Sequence, residues 1–153
     1  MIKILFICHG NICRSPMAEF VFRDIAEKRG ISDRFYAASK ATSREELGNP
    51  VYPPVRKLLA EKGISCDDRA AEQLDPRDYD LYDYIIGMEE TNVRNILKIL
   101  PGDHEGKVHR LLDFSDHPRD IADPWYTGDF QKAYADILEG CLALMDYIEN
   151  SMK

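Results

Sequence analysis

Apolar residues along this chain fall into two patterns: short unbroken runs, and longer stretches in which they recur every three to four positions. The runs at Ile2–Ile7, Phe35–Ser39, Tyr82–Gly87 and Val108–Leu112 have strand length, and unbroken apolar character predicts strands covered on both faces. Between them, helical spacing predicts helices over Ser15–Arg29, Pro54–Lys62, Glu90–Leu100 and Asp129–Asn150, with Gly30, Gly63 and Pro101-Gly102 as stops. Strand and helix in regular alternation predict an α/β fold: a three-layer doubly wound four-stranded parallel sheet flanked by helices, joined by right-handed crossovers. In the last helix the stripe through Ile137, Cys141, Met145 and Ile148 reads as core rather than as a cofactor box. No repeat, linker or low-complexity run interrupts the 153 residues. Residues 1–153 therefore read as a single domain, long enough to bury about 70% of the surface of the unfolded chain.

Candidate chemistry begins where the first strand ends. Cys8 to Ser15 reads C-H-G-N-I-C-R-S, followed by Pro16. Ser15-Pro16 predicts a helix start, with Ser15 as N-cap and Pro16 at the first helical position. The loop thus runs from a strand end into the positive end of a helix dipole. An oxyanion held there meets the backbone N–H groups of His9, Gly10, Asn11, Ile12, Cys13 and Arg14, with Gly10 and Asn11 best able to take the positive φ angles of such a nest. Arg14 adds a planar fork that suits two phosphate oxygens at once. Cys8 is the candidate nucleophile, and Ser15 is placed to donate its hydroxyl hydrogen to the Cys8 thiolate. A proton donor for the leaving oxygen is found far along the chain, in the loop-like Asp123-Pro124-Trp125-Tyr126, where Pro124 keeps Asp123 out of helical geometry. Trp125 and Tyr126 can flank a flat substrate, or simply cover the core.

These residues resemble a known family, the low-molecular-weight protein tyrosine phosphatases. C-H-G-N-I-C-R-S-P-M-A-E at Cys8–Glu19 is similar to its signature and D-P-W-Y at Asp123–Tyr126 to its acid loop; Ala41-Thr42-Ser43, Gly48-Asn49-Pro50 and Met88-Glu89-Glu90-Thr91-Asn92 are similar to further segments. The resemblance implies Cys8 as nucleophile, Arg14 as phosphate clamp, Asp123 as general acid and base, Asn11 and Ser15 as loop organisers and Cys13 as redox partner of Cys8. It further implies phosphotyrosine proteins or peptides as substrates, a phosphocysteine intermediate and inorganic phosphate as product, without cofactor or metal. Glu45 stands where the family commonly has an aromatic pocket wall, and Asp68 and Ala71 where it has a His followed by an Arg, departures that bear on specificity and on how Asn11 is braced. Three other readings differ by observable features. Thioredoxin-coupled arsenate reductases need two further cysteines close together, which Cys66 and Cys141 are not; phosphoarginine phosphatases typically have Thr at the position of Ile12; a non-catalytic phosphate-binding module would not need nucleophile, clamp and acid together.

Net charge of −7 with no compensating basic run argues against nucleic acid or an anionic membrane as partner. Ile2–Ile7 is too short for a signal-peptide core and no segment approaches a membrane span, so a cytoplasmic protein is expected. Four cysteines without knuckle spacing predict reduced thiols, with Cys66 and Cys141 structural. His9 reads as a pocket-rim residue, while His104, His109 and His117 lack metal-ligand spacing and read as surface. Glu45-Glu46 and Asp67-Asp68 read as solvated faces, Glu45 gaining weight from its place at the pocket mouth.

Overall fold

The computed structural model describes residues 1–66 and 68–152. In chain order its elements are β1 (Ile2–Cys8), α1 (Arg14–Lys28), β2 (Phe35–Ala41), α2 (Pro53–Glu61), α3 (Asp78–Leu81), β3 (Tyr84–Gly87), α4 (Glu90–Ile99), β4 (Val108–Arg110), α5 (Pro124–Thr127) and α6 (Phe130–Ser151). The four strands form one parallel sheet in the order β2-β1-β3-β4. After β1 the chain crosses to β2 on one side and later returns to β3 on the other. The carboxyl ends of β1 and β3 therefore flank the point where strand order reverses, the crevice in which ligands bind such sheets.

β1 runs through the middle of the sheet and divides two cores. Its side chains alternate, so Ile4, Phe6 and Cys8 join the larger core under α1 and α6, while Leu5 and Ile7 join a smaller one with Ile85 of β3, Ile96 of α4 and Leu100 just after α4. This alternation fixes the face on which Cys8 emerges, directly ahead of α1. Beneath it Phe22 packs on Phe6 in a tilted pair and on Phe35 edge to face, with ring centroids 5.7 and 5.4 Å apart, each fully buried ring contributing about 1.5–3 kcal/mol by transfer from water. α6 lies so close to the segment after β4 that a Cβ at Gly140 would stand 2.5 Å from Leu111 Cγ.

Element ends depart from the apolar pattern wherever a side chain closes a turn. Asp78 accepts from Lys40 Nζ with both oxygens at 3.0 Å and from Asp75 N at 2.9 Å, so the chain makes the helical turn α3 and β3 begins only at Tyr84. Arg110 donates from its backbone N at 3.1 Å and from Nε at 3.0 Å to the Asp113 carboxylate, closing the 3-10 turn Leu111–Phe114 that ends β4 after three residues. α1 starts at Arg14 with Cys13 as N-cap, not at Ser15; Pro16 still lies in the first turn, where its missing N–H leaves nothing unpaired. Asp123–Tyr126 is not an open loop: Asp123 caps α5, its Oδ1 accepting from Trp125 N at 3.0 Å. β2 is an edge strand, and Arg23 Nη2 on α1 reaches its Ala37 carbonyl at 2.9 Å. Of the Asp67-Asp68 run, Asp68 is exposed and Asp67 lies outside the described residues. Among the described residues no helix is long and apolar enough to cross a membrane.

Candidate active site

The loop between β1 and α1 curls around the sulfur of Cys8. Asn11, with φ of 61°, is the one non-glycine residue with positive φ among those described, and three donors hold it there. Arg69 Nη1 donates to the Asn11 carbonyl at 2.8 Å, Arg69 Nη2 donates to Asn11 Oδ1, and Glu72 N donates to the same Oδ1 at 3.2 Å. Gly10 does not share the positive φ; a Cβ there would come within 3.3 Å of Glu46 Cγ, so its small size admits the 43–49 segment against the loop.

From Asn11 the contacts lead to the thiol. Asn11 Nδ2 donates to Ser15 Oγ at 2.8 Å, and Ser15 Oγ lies 3.0 Å from Cys8 Sγ. With the hydroxyl accepting from Asn11, its own hydrogen is free to point at sulfur, the direction that a thiolate requires. Backbone N–H groups of Asn11 and Ser15 also point at Sγ, at 3.3 and 3.4 Å. Three donors converging on one sulfur suit an anionic nucleophile. Cys13 is 5% exposed; burial first, then the neighbouring Cys8 and Asp123, push its thiol up to about 12, against the opposing pull of Arg14.

Arg14 is 1% exposed, and its guanidinium plane is fixed from two sides. Nη1 donates to the Ile121 carbonyl at 2.8 Å, while Nη2 donates to Glu89 Oε1 at 3.1 Å and Asp123 Oδ2 at 3.3 Å. Glu89 is itself held as N-cap of α4, exchanging bonds with Asn92. Ile121 N donates to Met88 O at 2.9 Å, which ties the segment carrying Asp123 to the end of β3. A residue 109 positions from Arg14 in sequence is thereby hung over the same cavity.

That cavity, of about 110 Å³, is lined by Cys8, His9, Gly10, Ile12, Cys13, Arg14, Glu45, Glu46, Asp123, Trp125 and Tyr126. Asn11 and Ser15 sit behind the lining and act through it. At the rim His9 Nε2 meets Glu45 Oε2 at 3.0 Å, both side chains substantially exposed. Opposite, Trp125 leans on Tyr52 at 4.9 Å, which packs on Phe130 at 6.0 Å, while Tyr126 is 82% exposed and covers no core.

Arg69 and Glu72 lie outside the motifs read from the sequence, while Glu89 and Glu46, within the Met88–Asn92 segment and the Glu45-Glu46 run, carry parts in the site that the sequence did not assign them. Asp68 takes no part in bracing Asn11; the brace comes from Arg69, one residue on, and the Ala71 backbone instead donates to Asn49 O at 2.8 Å. Burial pulls the Arg69 guanidinium below its ordinary value, opposed by Glu19 and Glu72. No local signal marks Arg69, since it follows two aspartates in a polar stretch. His104 and His117 are exposed, whereas His109 is half-buried between Tyr84 and Phe114. Among the described residues no three His, Cys, Asp or Glu side chains are grouped to hold a metal ion.

Residues 3–153 match the sequence model of the family described as low molecular weight phosphotyrosine protein phosphatase. The chain belongs to that family, and is an enzyme of the phosphoric monoester hydrolase class. It is 38% identical over 151 residues to the low molecular weight protein-tyrosine-phosphatase YfkJ of Bacillus subtilis, covering 97% of each chain. It is 40% identical over 149 residues to the low molecular weight protein-tyrosine-phosphatase PtpA of Staphylococcus epidermidis, covering 97% of this chain and 94% of that one. The crystal structure of YfkJ superposes with a TM-score of 0.96 at 37% identity, over 100% of this chain and 98% of the other.

Proposed function

We propose that this phosphatase hydrolyses phosphotyrosine in proteins or peptides through a phosphocysteine intermediate, with Cys8 as nucleophile, Arg14 as phosphate clamp and Asp123 as general acid and base. The observation that carries the reading is the convergence in one cavity of a sulfur receiving three donors, a buried guanidinium and a carboxylate 3.3 Å from that guanidinium. The phosphoryl oxygens take the loop N–H groups from His9 to Arg14 and the Arg14 fork, donors that need no reorganisation as charge moves onto the equatorial oxygens. Cys8 Sγ attacks phosphorus in line, the S–P bond forms as the P–O bond to the tyrosine breaks, and Asp123 gives its proton to the departing phenolate oxygen. In the second half Asp123 takes a proton from water as the water oxygen attacks phosphorus. The S–P bond breaks, the thiolate leaves toward the Ser15 hydroxyl, and inorganic phosphate departs.

Ile12 in the lining, with Trp125 and Tyr126 on the open side, favours an aryl leaving group. Cys13 is the assigned redox partner: peroxide converts the Cys8 thiolate to a sulfenic acid, Cys13 sulfur displaces the hydroxyl as water, and a disulfide results. The reading carries with it a cytoplasmic location. Purified protein assayed in chelator against phosphotyrosine, phosphoserine and phosphoarginine peptides tests it: rapid release from phosphotyrosine alone is expected, and a preference for either of the others overturns it.

A further inference from the structure

The two walls of the pocket mouth are chemically unlike. One is aromatic, formed by Trp125 and the largely exposed Tyr126. The other is acidic, formed by Glu45 and Glu46. We propose that this asymmetry selects phosphotyrosine carrying a lysine or arginine beside it in the peptide and disfavours acidic neighbours, with Glu45 and Glu46 as the discriminating residues. The inference rests on the phosphotyrosine reading above and adds the sequence context of the substrate.

The acidic wall is held in place. Ser43 donates to the His9 carbonyl from its backbone at 3.1 Å and from its hydroxyl at 2.9 Å, which clamps the start of the 43–49 segment to the phosphate-binding loop. Glu46 Cγ sits over Gly10, close enough that a Cβ there would be crowded, and Glu46 Oε2 accepts from Asn49 Nδ2 at 2.5 Å. Glu45 meets His9 across the mouth with 70% of its side chain exposed, so its charge faces the solvent through which a peptide approaches. Cationic balance at this level is slight. Arg14 belongs to the floor, where it donates to Ile121, Glu89 and Asp123 and faces the phosphate site rather than the rim; the exposed Arg44 is outside the lining, leaving His9 against Glu45, Glu46 and Asp123.

When a phosphotyrosine enters, its two phosphate charges go to the floor, and the residues on either side of it pass along the rim. An ammonium or guanidinium there is attracted by Glu45 and Glu46, while a carboxylate is repelled by the same pair. In so exposed a place the interaction is screened, and a total discrimination of about tenfold at low salt is the scale that Coulomb's law allows.

The test compares kcat/KM for three phosphotyrosine peptides that differ only in the residues flanking the tyrosine, which are lysine, alanine or glutamate. Wild type should rank them in that order, with a lysine-to-glutamate ratio of about tenfold at low salt that falls to about twofold at high salt. Glu45→Gln and Glu46→Gln should each narrow the ratio, and Glu45→Lys combined with Glu46→Lys should invert it. Since the ratio is taken within each variant, a change in the amount of folded enzyme cancels. Equal turnover of all three peptides by wild type, or a ratio unchanged in the doubly substituted protein, overturns the inference while leaving the phosphotyrosine reading intact. Failure of wild type to hydrolyse any of the three removes both.

Discussion

Floor and rim of the same cavity are built on opposite principles. On the floor, Cys8, Asn11, Arg14 and Ser15 are all 3% exposed or less; Asn11 and Arg14 are tied by hydrogen bonds to distant segments, and Ser15 is held to Asn11 and Cys8. At the rim, His9 and Glu45 share one solvent-exposed contact, and Tyr126 projects almost freely. Donors fixed in a desolvated floor act on developing charge without rearranging, whereas charges at a wet rim bias approach but contribute little to the chemical step. On the proposed function, a single pocket separates how the bond is broken from which partner is admitted. Substitutions on the floor should cost orders of magnitude; those at the rim should cost factors.

Cys8→Ser gives the largest effect: turnover falls below a few per cent of wild type while vanadate binding, read by tryptophan fluorescence or calorimetry, persists because the surrounding donors remain. Residual activity above that level breaks the assignment of the floor. Asp123→Asn should lower kcat for phosphotyrosine by about 10²–10⁴ and less for esters with good leaving groups; a uniform loss across a leaving-group series removes Asp123 from proton transfer. Arg69→Leu touches no substrate, yet the loss of two donors to Asn11 should lower kcat by up to about 10²-fold through displaced loop geometry. Arg69→Lys should recover part of that loss, and KM should change less than kcat in both. At the rim, Glu45→Tyr should raise kcat/KM for phosphotyrosine by about 0.5–1.5 kcal/mol of stacking, with a smaller gain on an alkyl phosphate. The smallest effect belongs to Cys13. Its thiol is held protonated from the ordinary value of 9.0 up to about 12, so the folded state loses stability as pH rises through that window, where the unfolded chain ionises and the folded chain does not. Thermal melts should therefore fall less steeply between those pH values in Cys13→Ala than in wild type.

Floor and rim also differed in how far the sequence disclosed them. Cys8, Arg14 and Ser15 are neighbours in one motif whose chemistry follows from adjacency to a strand end and a helix start, and Asp123 is marked by the proline and aromatics after it. Arg69 is not marked, and Glu89 sits in a recognised segment without an assigned role, because they meet Asn11 and Arg14 across 58 and 75 positions of chain, and only the finished sheet brings them together. The four-stranded parallel sheet flanked by helices followed from the alternation of apolar runs, whereas the strand order β2-β1-β3-β4 and the division into two cores emerge only in the folded chain. The late start of β3 and the early end of β4 did not follow from the runs either, since single carboxylates, Asp78 and Asp113, turn the backbone locally against the apolar trend. Gly10 illustrates the same limit: glycine signals freedom, but here it serves the close approach of Glu46.

The Arg23 contact with Ala37 bears on solubility. β2 forms one margin of the sheet, and a bare margin offers carbonyls and N–H groups to any extended chain that drifts alongside. A guanidinium seated on the Ala37 carbonyl occupies a position where an incoming strand would have to donate, and it brings a charge that such a strand would have to desolvate. The isolated bridge between Ala41 and Gln73 covers the far end of the same margin. Between them, the two contacts leave less of the β2 margin open to pairing with another chain.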